Sequence, residues 1–109
     1  MIYNIHDIGG ETVKDDDTYV VKDNVTLKNL VVSSTKLRMR KSTRGHSHPG
    51  QEEVYFFISG SGDMELGDKK IEVNAGDVVL VEDGVFHRVH NSGHQHLYFV
   101  CVFQGKRNH

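Results

Sequence analysis

The stretch from Arg44 to Gly60, RGHSHPGQEEVYFFISG, places two histidines and two glutamates ahead of an apolar run. Side chains two residues apart in a β-strand point to the same face, so His46 and His48 can direct both imidazoles at one point. Divalent first-row metals bind mixed imidazole and carboxylate sets that leave positions open for a substrate. The stretch therefore predicts part of a metal site.

The two glutamates cannot both belong to this site. Glu52 and Glu53 are neighbours in one strand, so alternation sends them to opposite faces. Glu53 shares its face with Tyr55, whereas Glu52 shares the other face with Val54 and further apolar residues. A face with a carboxylate and a phenol suits a cavity for a polar ligand, which favours Glu53 without excluding Glu52.

A further histidine is expected from the segment GDVVLVEDGVFHRVHN, in which a buried strand, a tight turn and a returning strand follow one another. His87 begins the returning strand, and His90 has the opposite parity. Alternation allows only one of them to face the cavity and leaves the choice open.

The elements that position these residues are strands. Apolar residues come in runs of about four to eight, rich in Val, Ile, Phe and Tyr and separated by Gly, Asn or Asp, with almost no helical periodicity. This pattern predicts an all-β sandwich or small barrel. We expect nine strands, at residues 19–21, 27–33, 36–40, 53–58, 62–66, 70–73, 77–81, 86–90 and 96–103.

Composition limits the classes of function. The 109 residues suit a single domain, and 13 basic residues mixed with 15 acidic ones give no positive field for nucleic acid or anionic lipid. The absence of a signal peptide and of a long apolar stretch leads us to expect a soluble, cytoplasmic protein that binds neither nucleic acid nor membranes. The single cysteine, Cys101, is predicted to be a core residue.

The spacing of these residues resembles the motifs of a known family. Gly45, the two histidines, Glu53 and Gly60 are spaced as in the first conserved motif of the cupin superfamily, although Arg40 stands where that motif has an early glycine. The segment from Gly76 to Asn91 is similar to the second motif, with Glu82 in place of a proline.

The resemblance implies that His46, His48, Glu53 and His87 bind one metal ion inside a double-stranded β-helix, a jelly-roll barrel of the cupin or RmlC-like type. It thereby selects Glu53 over Glu52. Residues 1–109 would form a single cupin domain, with its motifs at about 45–60 and 76–91. The ion would be a divalent transition metal (Fe, Mn, Ni or Zn) with two open positions for water or for two adjacent oxygens of a sugar, a 2-hydroxyketone or a 2-oxoacid.

Four residues are candidates for contacts with the substrate. Tyr55 shares the face of Glu53 and is the candidate catalytic residue. His96 and Tyr98 share one face of the last strand and would line the cavity if that face turns inward. Arg38 belongs to a stripe of three positive charges in TKLRMR, which is either solvated or directed at an anionic substrate.

Three functions fit these observations. The segments TRGHSH, EEVYFFISGSGDMEL and AGDVVLVEDGVFHRVHNSG are similar to cupin-type glucose-6-phosphate isomerases, although this chain is much shorter, which implies a metal-dependent sugar or sugar phosphate isomerase. An iron-dependent dioxygenase and a non-catalytic binder of a small ligand are the alternatives, because all three share fold and metal set. The strand EVYFFIS, apolar on both faces, predicts a homodimer.

Overall fold

The computed structural model describes residues 1–105, in which nine strands and no helix occur. This confirms the predicted all-β class. The strands are β1 (Glu11–Asp15), β2 (Tyr19–Asn24), β3 (Leu30–Leu37), β4 (Glu53–Ser59), β5 (Ser61–Leu66), β6 (Lys69–Asn74), β7 (Val78–Val81), β8 (His87–His90) and β9 (Leu97–Gln104). Within these residues, no helix is long and apolar enough to cross a membrane.

The strands form two antiparallel sheets. The larger sheet has six strands in the order β1-β2-β3-β9-β4-β7, and the smaller has three in the order β6-β5-β8. Apolar residues from the facing sides of both sheets form one core, to which β4, β5 and β9 contribute Phe57, Met64 and Phe99. The two sheets therefore enclose a single interior.

Two features of the strand prediction were wrong. In place of the strands predicted at 27–33 and 36–40 there is one strand, β3, over Leu30–Leu37, because its pairing with β2 and β9 continues without a break through the polar residues Ser34 and Thr35. Strand β1 was not predicted at all. Its sequence, ETVKD, lies at the edge of the larger sheet and is mostly exposed, so it carries no apolar run.

The turn after β4 depends on a glycine. Gly60 has a φ of +84°, and a Cβ at this position would lie 2.5 Å from the carbonyl oxygen of His96. Arg40, which replaces the early glycine of the first motif, also has a positive φ, of 61°. The left-handed turn is thus retained without glycine at position 40, whereas at position 60 the close approach of backbone requires it.

Replacing Gly60 is predicted to destabilise the barrel more than replacing a glycine of similar conformation. Gly76 has a φ of +96° but no atom within 4 Å of an added Cβ. Gly76→Ala should cost only the strain of the left-handed conformation, about 1 kcal/mol, whereas Gly60→Ala adds a clash with backbone and should cost at least about 1 kcal/mol more. Urea unfolding of both variants measures the difference, and equal losses would contradict this interpretation.

Candidate metal centre

Direct pairing of two backbone segments builds the centre. The His46 N–H donates to the His87 carbonyl at 3.0 Å, and the His87 N–H donates to the His46 carbonyl at 2.9 Å. The Ser47 hydroxyl donates to the Gly84 carbonyl at 2.7 Å, which ties the same segment to the turn before β8. The histidines of the two motifs are therefore held together by backbone as well as by side chains.

Three side chains converge on the barrel interior. Ring nitrogens of His48 and His87 and a carboxylate oxygen of Glu53 all lie within 4.8 Å of one another, and all three residues are buried. His48 Nε2 is 4.0 Å from Glu53 Oε1, and His87 Nε2 is 3.8 Å from Glu53 Oε2. Two ligands of one first-row ion, each about 2.1 Å from it, lie about 3–4 Å apart. This cluster could therefore hold a metal ion after only a small adjustment.

The orientation of the His87 ring fits a metal ligand. Its Nδ1 lies 3.0 Å from the Val85 carbonyl, which can only accept, so Nδ1 carries the hydrogen. A neutral His87 then directs the lone pair of Nε2 at the Glu53 carboxylate, and a cation between the two groups makes that arrangement favourable. The donor set of two imidazoles and one carboxylate suits a divalent transition metal.

His46 lies at the edge of this cluster. Its ring is half-buried and stacks on His48 with 5.2 Å between the centroids. Burial, together with the neighbouring His48 and His87 and the positive charges of Lys14 and Arg44, lowers the pKa of His46 to about 4. His46 is therefore neutral at physiological pH, as a metal ligand must be, although the three-residue cluster does not include it.

A cavity of about 40 Å³ adjoins the cluster. His46, Glu53 and His87 line it, and so do the hydroxyl-bearing residues Ser33, Thr35 and Thr43. Tyr55 also lines this central cavity, as its parity with Glu53 predicts. Its ring packs 5.5 Å from that of Phe99 and 5.8 Å from that of His87, measured between centroids, so Tyr55 supports a proposed metal ligand directly.

The other three predicted pocket residues lie elsewhere. Arg38 donates through Nε to the Asp16 carbonyl at 3.0 Å and forms an ion pair with Asp15 at 3.5 Å, so it binds the turn between β1 and β2. Tyr98 donates its hydroxyl to the Ile5 carbonyl at 2.7 Å on the outer side of the sheet. His96 is exposed just before β9. The placement of all three in the pocket was wrong.

The reason is the orientation of the strands that carry them. The inward face of β9 consists of Leu97, Phe99, Cys101 and Phe103, which are buried, so the face of Tyr98 turns outward. On β3, the buried residues that line the cavity are Ser33 and Thr35, and the parity of Arg38 is the opposite one. Cys101 is buried, as predicted.

The structure separates His87 from His90. The His90 ring lies outside the cavity, with Ser42 Oγ 2.6 Å from its Nδ1 and Glu65 Oε2 2.7 Å from its Nε2. The hydrogen bond from His90 lowers the pKa of the Glu65 carboxyl. Through these contacts the His90 side chain joins Ser42, which precedes the first motif, to Glu65 on β5.

Sequence reasoning missed Lys14. This residue lines the central cavity from β1, beside Arg44 from the segment that precedes the histidine pair. A hairpin across the acidic run Asp15 to Asp17, which precedes the strand predicted at 19–21, would have placed β1 and its lysine. Lys14 alone carried no signal, because a single lysine beside three aspartates is typical of a solvated turn.

A small barrel of two antiparallel sheets with a buried cluster of histidines and glutamate defines the class of β-barrels that can hold a metal ion. The Cupin domain family matches residues 35–103, which include every residue of the cluster. The chain therefore belongs to the cupin family, which confirms the family and the double-stranded β-helix inferred from the motifs.

Individual relatives were also found. The chain is 31% identical over 75 residues to a protein from Thermotoga maritima named an oxalate-binding protein, a match covering 69% of this chain and 62% of that one. The crystal structure of a predicted oxalate decarboxylase from Thermotoga maritima has a TM-score of 0.76 and 24% identity, covering 95% of this chain and 98% of that chain. A double-stranded β-helix protein from Klebsiella pneumoniae has a TM-score of 0.81 and 20% identity, covering 94% and 88%.

Loss of one ligand of the cluster is predicted to release the metal. Elemental analysis of the wild-type protein, dialysed with Mn²⁺, should find about one ion per chain. His48→Ala and His87→Ala should each weaken metal binding at least about tenfold. Replacing even a residue that only hydrogen-bonds to a metal ligand typically lowers metal affinity by that factor. If His46→Ala loses less metal than His48→Ala does, His46 contributes less to metal binding than His48.

His96→Ala is the matched control, because His96 belongs to the exposed pair His94 and His96 with the same spacing. This variant should retain its metal. Equal metal content in the wild type and His48→Ala would show that the site has been assigned to the wrong residues.

Proposed function

We propose that this cupin binds a small carboxylate of the oxalate type through a metal ion held by His46, His48, Glu53 and His87. The observation that carries the proposal is the central cavity, which combines the buried cluster with a volume of only about 40 Å³. Four protein ligands on a six-coordinate ion leave two adjacent positions. Two neighbouring carboxylate oxygens can occupy both.

The size of the cavity favours a ligand of very few atoms. Its volume suits about three water molecules, and oxalate is comparably small. A sugar phosphate is several times larger. The cavity volume therefore argues for a 2-oxoacid or a dicarboxylate rather than a sugar among the ligands expected from the sequence. Isomerase and dioxygenase activities stay predictions from the motifs.

The lining residues suit an oxygen-rich ligand. Thr43 Oγ1 accepts the Val89 N–H at 3.0 Å, and its own hydroxyl hydrogen can still donate to a bound anion. Ser33 and Thr35 add two more hydroxyl groups from β3. A bound metal ion would polarise the ligand as a Lewis acid, and these side chains would orient it.

The named relative gives independent support. The protein from Thermotoga maritima that matches this chain is named for binding oxalate. The aligned part covers 62% of that relative, so the ligand of the whole relative comes to this chain as a proposal. Cavity size and donor set lead to the same class of ligand without it.

Oxalate binding is predicted to require the metal. Isothermal titration of the Mn²⁺-loaded protein should give a measurable affinity for oxalate, at least about tenfold above that of protein treated with a chelator, because the ion supplies the principal contacts. Succinate, which has the same charges on a longer chain, should bind more weakly because it exceeds the cavity.

Glucose 6-phosphate, tested beside them, separates this proposal from the isomerase hypothesis. Binding of the sugar phosphate without binding of oxalate would refute the oxalate proposal. Oxygen consumption by the iron-loaded protein in the presence of a ligand would favour a dioxygenase instead.

We also propose that a second copy of this chain covers the outer face of the larger sheet. Val78 and Leu80 on its edge strand β7 are 56% and 66% exposed, beside the half-buried outer residues of β4. Exposed apolar residues on an edge strand favour self-association across a two-fold axis. Sedimentation velocity should give the mass of a dimer, and a monomer would refute the homodimer.

A further inference from the structure

Two positively charged side chains, Lys14 and Arg44, line the central cavity from separate segments of the chain. Among the described residues that line it, Glu53 is the only carboxylate. With a divalent ion on Glu53 and the histidines, the charges around the cavity sum to an excess of positive charge. Such a cavity favours an anion over a neutral ligand, and a dianion over a monoanion.

The position of Lys14 follows from strand pairing. Lys14 lies opposite Val21, and residues directly opposite each other in an antiparallel pair share a face. Val21 is buried in the core, so Lys14 turns toward the barrel interior while its neighbours on β1 stay exposed. The pairing of β1 with β2 shifts between Thr12 and Lys14, and such a bulge bends the strand locally.

Tyr19 holds the ammonium group of Lys14. Lys14 Nζ lies 3.5 Å from Tyr19 Oη and 5.5 Å from the centre of the Tyr19 ring. Tyr19 is itself buried and lines the same cavity, so this contact keeps the charge at the wall of the cavity. A lysine that is already oriented loses less side-chain entropy when an anion binds.

We propose that Lys14, assisted by Arg44, anchors the part of the anion that the metal does not hold. Its ammonium binds oxygens of a small dicarboxylate whose remaining oxygens meet the metal. This inference rests on the proposed function and narrows it, because it makes the second negative charge the feature that the cavity selects. Lys14 thereby determines specificity from a strand that contains no metal ligand.

The test compares a dianion with a monoanion of similar size. Calorimetry of Mn²⁺-loaded protein measures the affinities of oxalate and of glycolate, which also chelates metals but carries one negative charge. Lys14→Gln should weaken oxalate about tenfold, as expected for loss of one charge-assisted hydrogen bond, and glycolate by no more than about threefold. Lys14→Arg should restore most of the preference for oxalate.

Lys36→Gln is the matched control, because Lys36 is exposed on β3 and the substitution removes the same charge from outside the cavity. It should leave both affinities unchanged. Metal content, measured in each variant after titration, should equal that of the wild type.

Three results would overturn the inference. If Lys14→Gln binds oxalate as tightly as the wild type does, the proposed oxalate site stands but Lys14 takes no part in it. Equal losses for oxalate and glycolate, or a loss of metal, would give Lys14 a structural role. Failure of the metal-loaded wild type to bind oxalate would overturn the proposed function and the role of Lys14 together.

Discussion

The burial of Glu53 is the constraint on which the rest of the centre depends. The residue is 3% exposed in the middle of the barrel, and an ionised carboxylate there costs several kcal/mol unless cations or hydrogen-bond donors compensate. Imidazoles of His48 and His87 face it at 4.0 and 3.8 Å, too far for direct hydrogen bonds. A metal ion among the three groups would add positive charge beside the carboxylate and could be bound by all three side chains.

The barrel is built to hold these groups in place. Glu53 begins β4, which pairs with β9 on one side and β7 on the other, so its backbone position is set from both edges. His87 begins β8 in the opposite sheet, and backbone hydrogen bonds join it to His46. The ring of Tyr55 packs against the rings of both Phe99 and His87. The centre therefore bridges the two sheets.

Local pattern predicted part of this centre and could not predict the rest. Alternation along EVYFFIS placed Glu53 and Tyr55 on one face, and the buried positions of β4 agree. The choice of His87 over His90 needed the resemblance to cupins, because parity alone allows either. In the apolar strand LYFVCVFQ, alternation cannot tell which face is inside, so His96 and Tyr98 were misplaced.

Contacts between distant segments account for the remaining errors. Lys14 belongs to an exposed edge strand whose sequence is polar, and only its pairing with Val21 turns it inward. Arg38 is withdrawn from the barrel by Asp15 and Asp16, which no local pattern indicates. The proposed metal ligands follow the spacing of sequence motifs, whereas Lys14 reaches the cavity only through strand pairing.

The central claim is that a metal ion joins histidines of both motifs to Glu53, and X-ray absorption at the metal edge of the loaded protein tests it most directly. We predict a first shell of nitrogen and oxygen, with the outer-shell scattering typical of at least two imidazole rings. A shell of oxygen alone, or a sulfur ligand from Cys101 on the cavity wall, would contradict the claim.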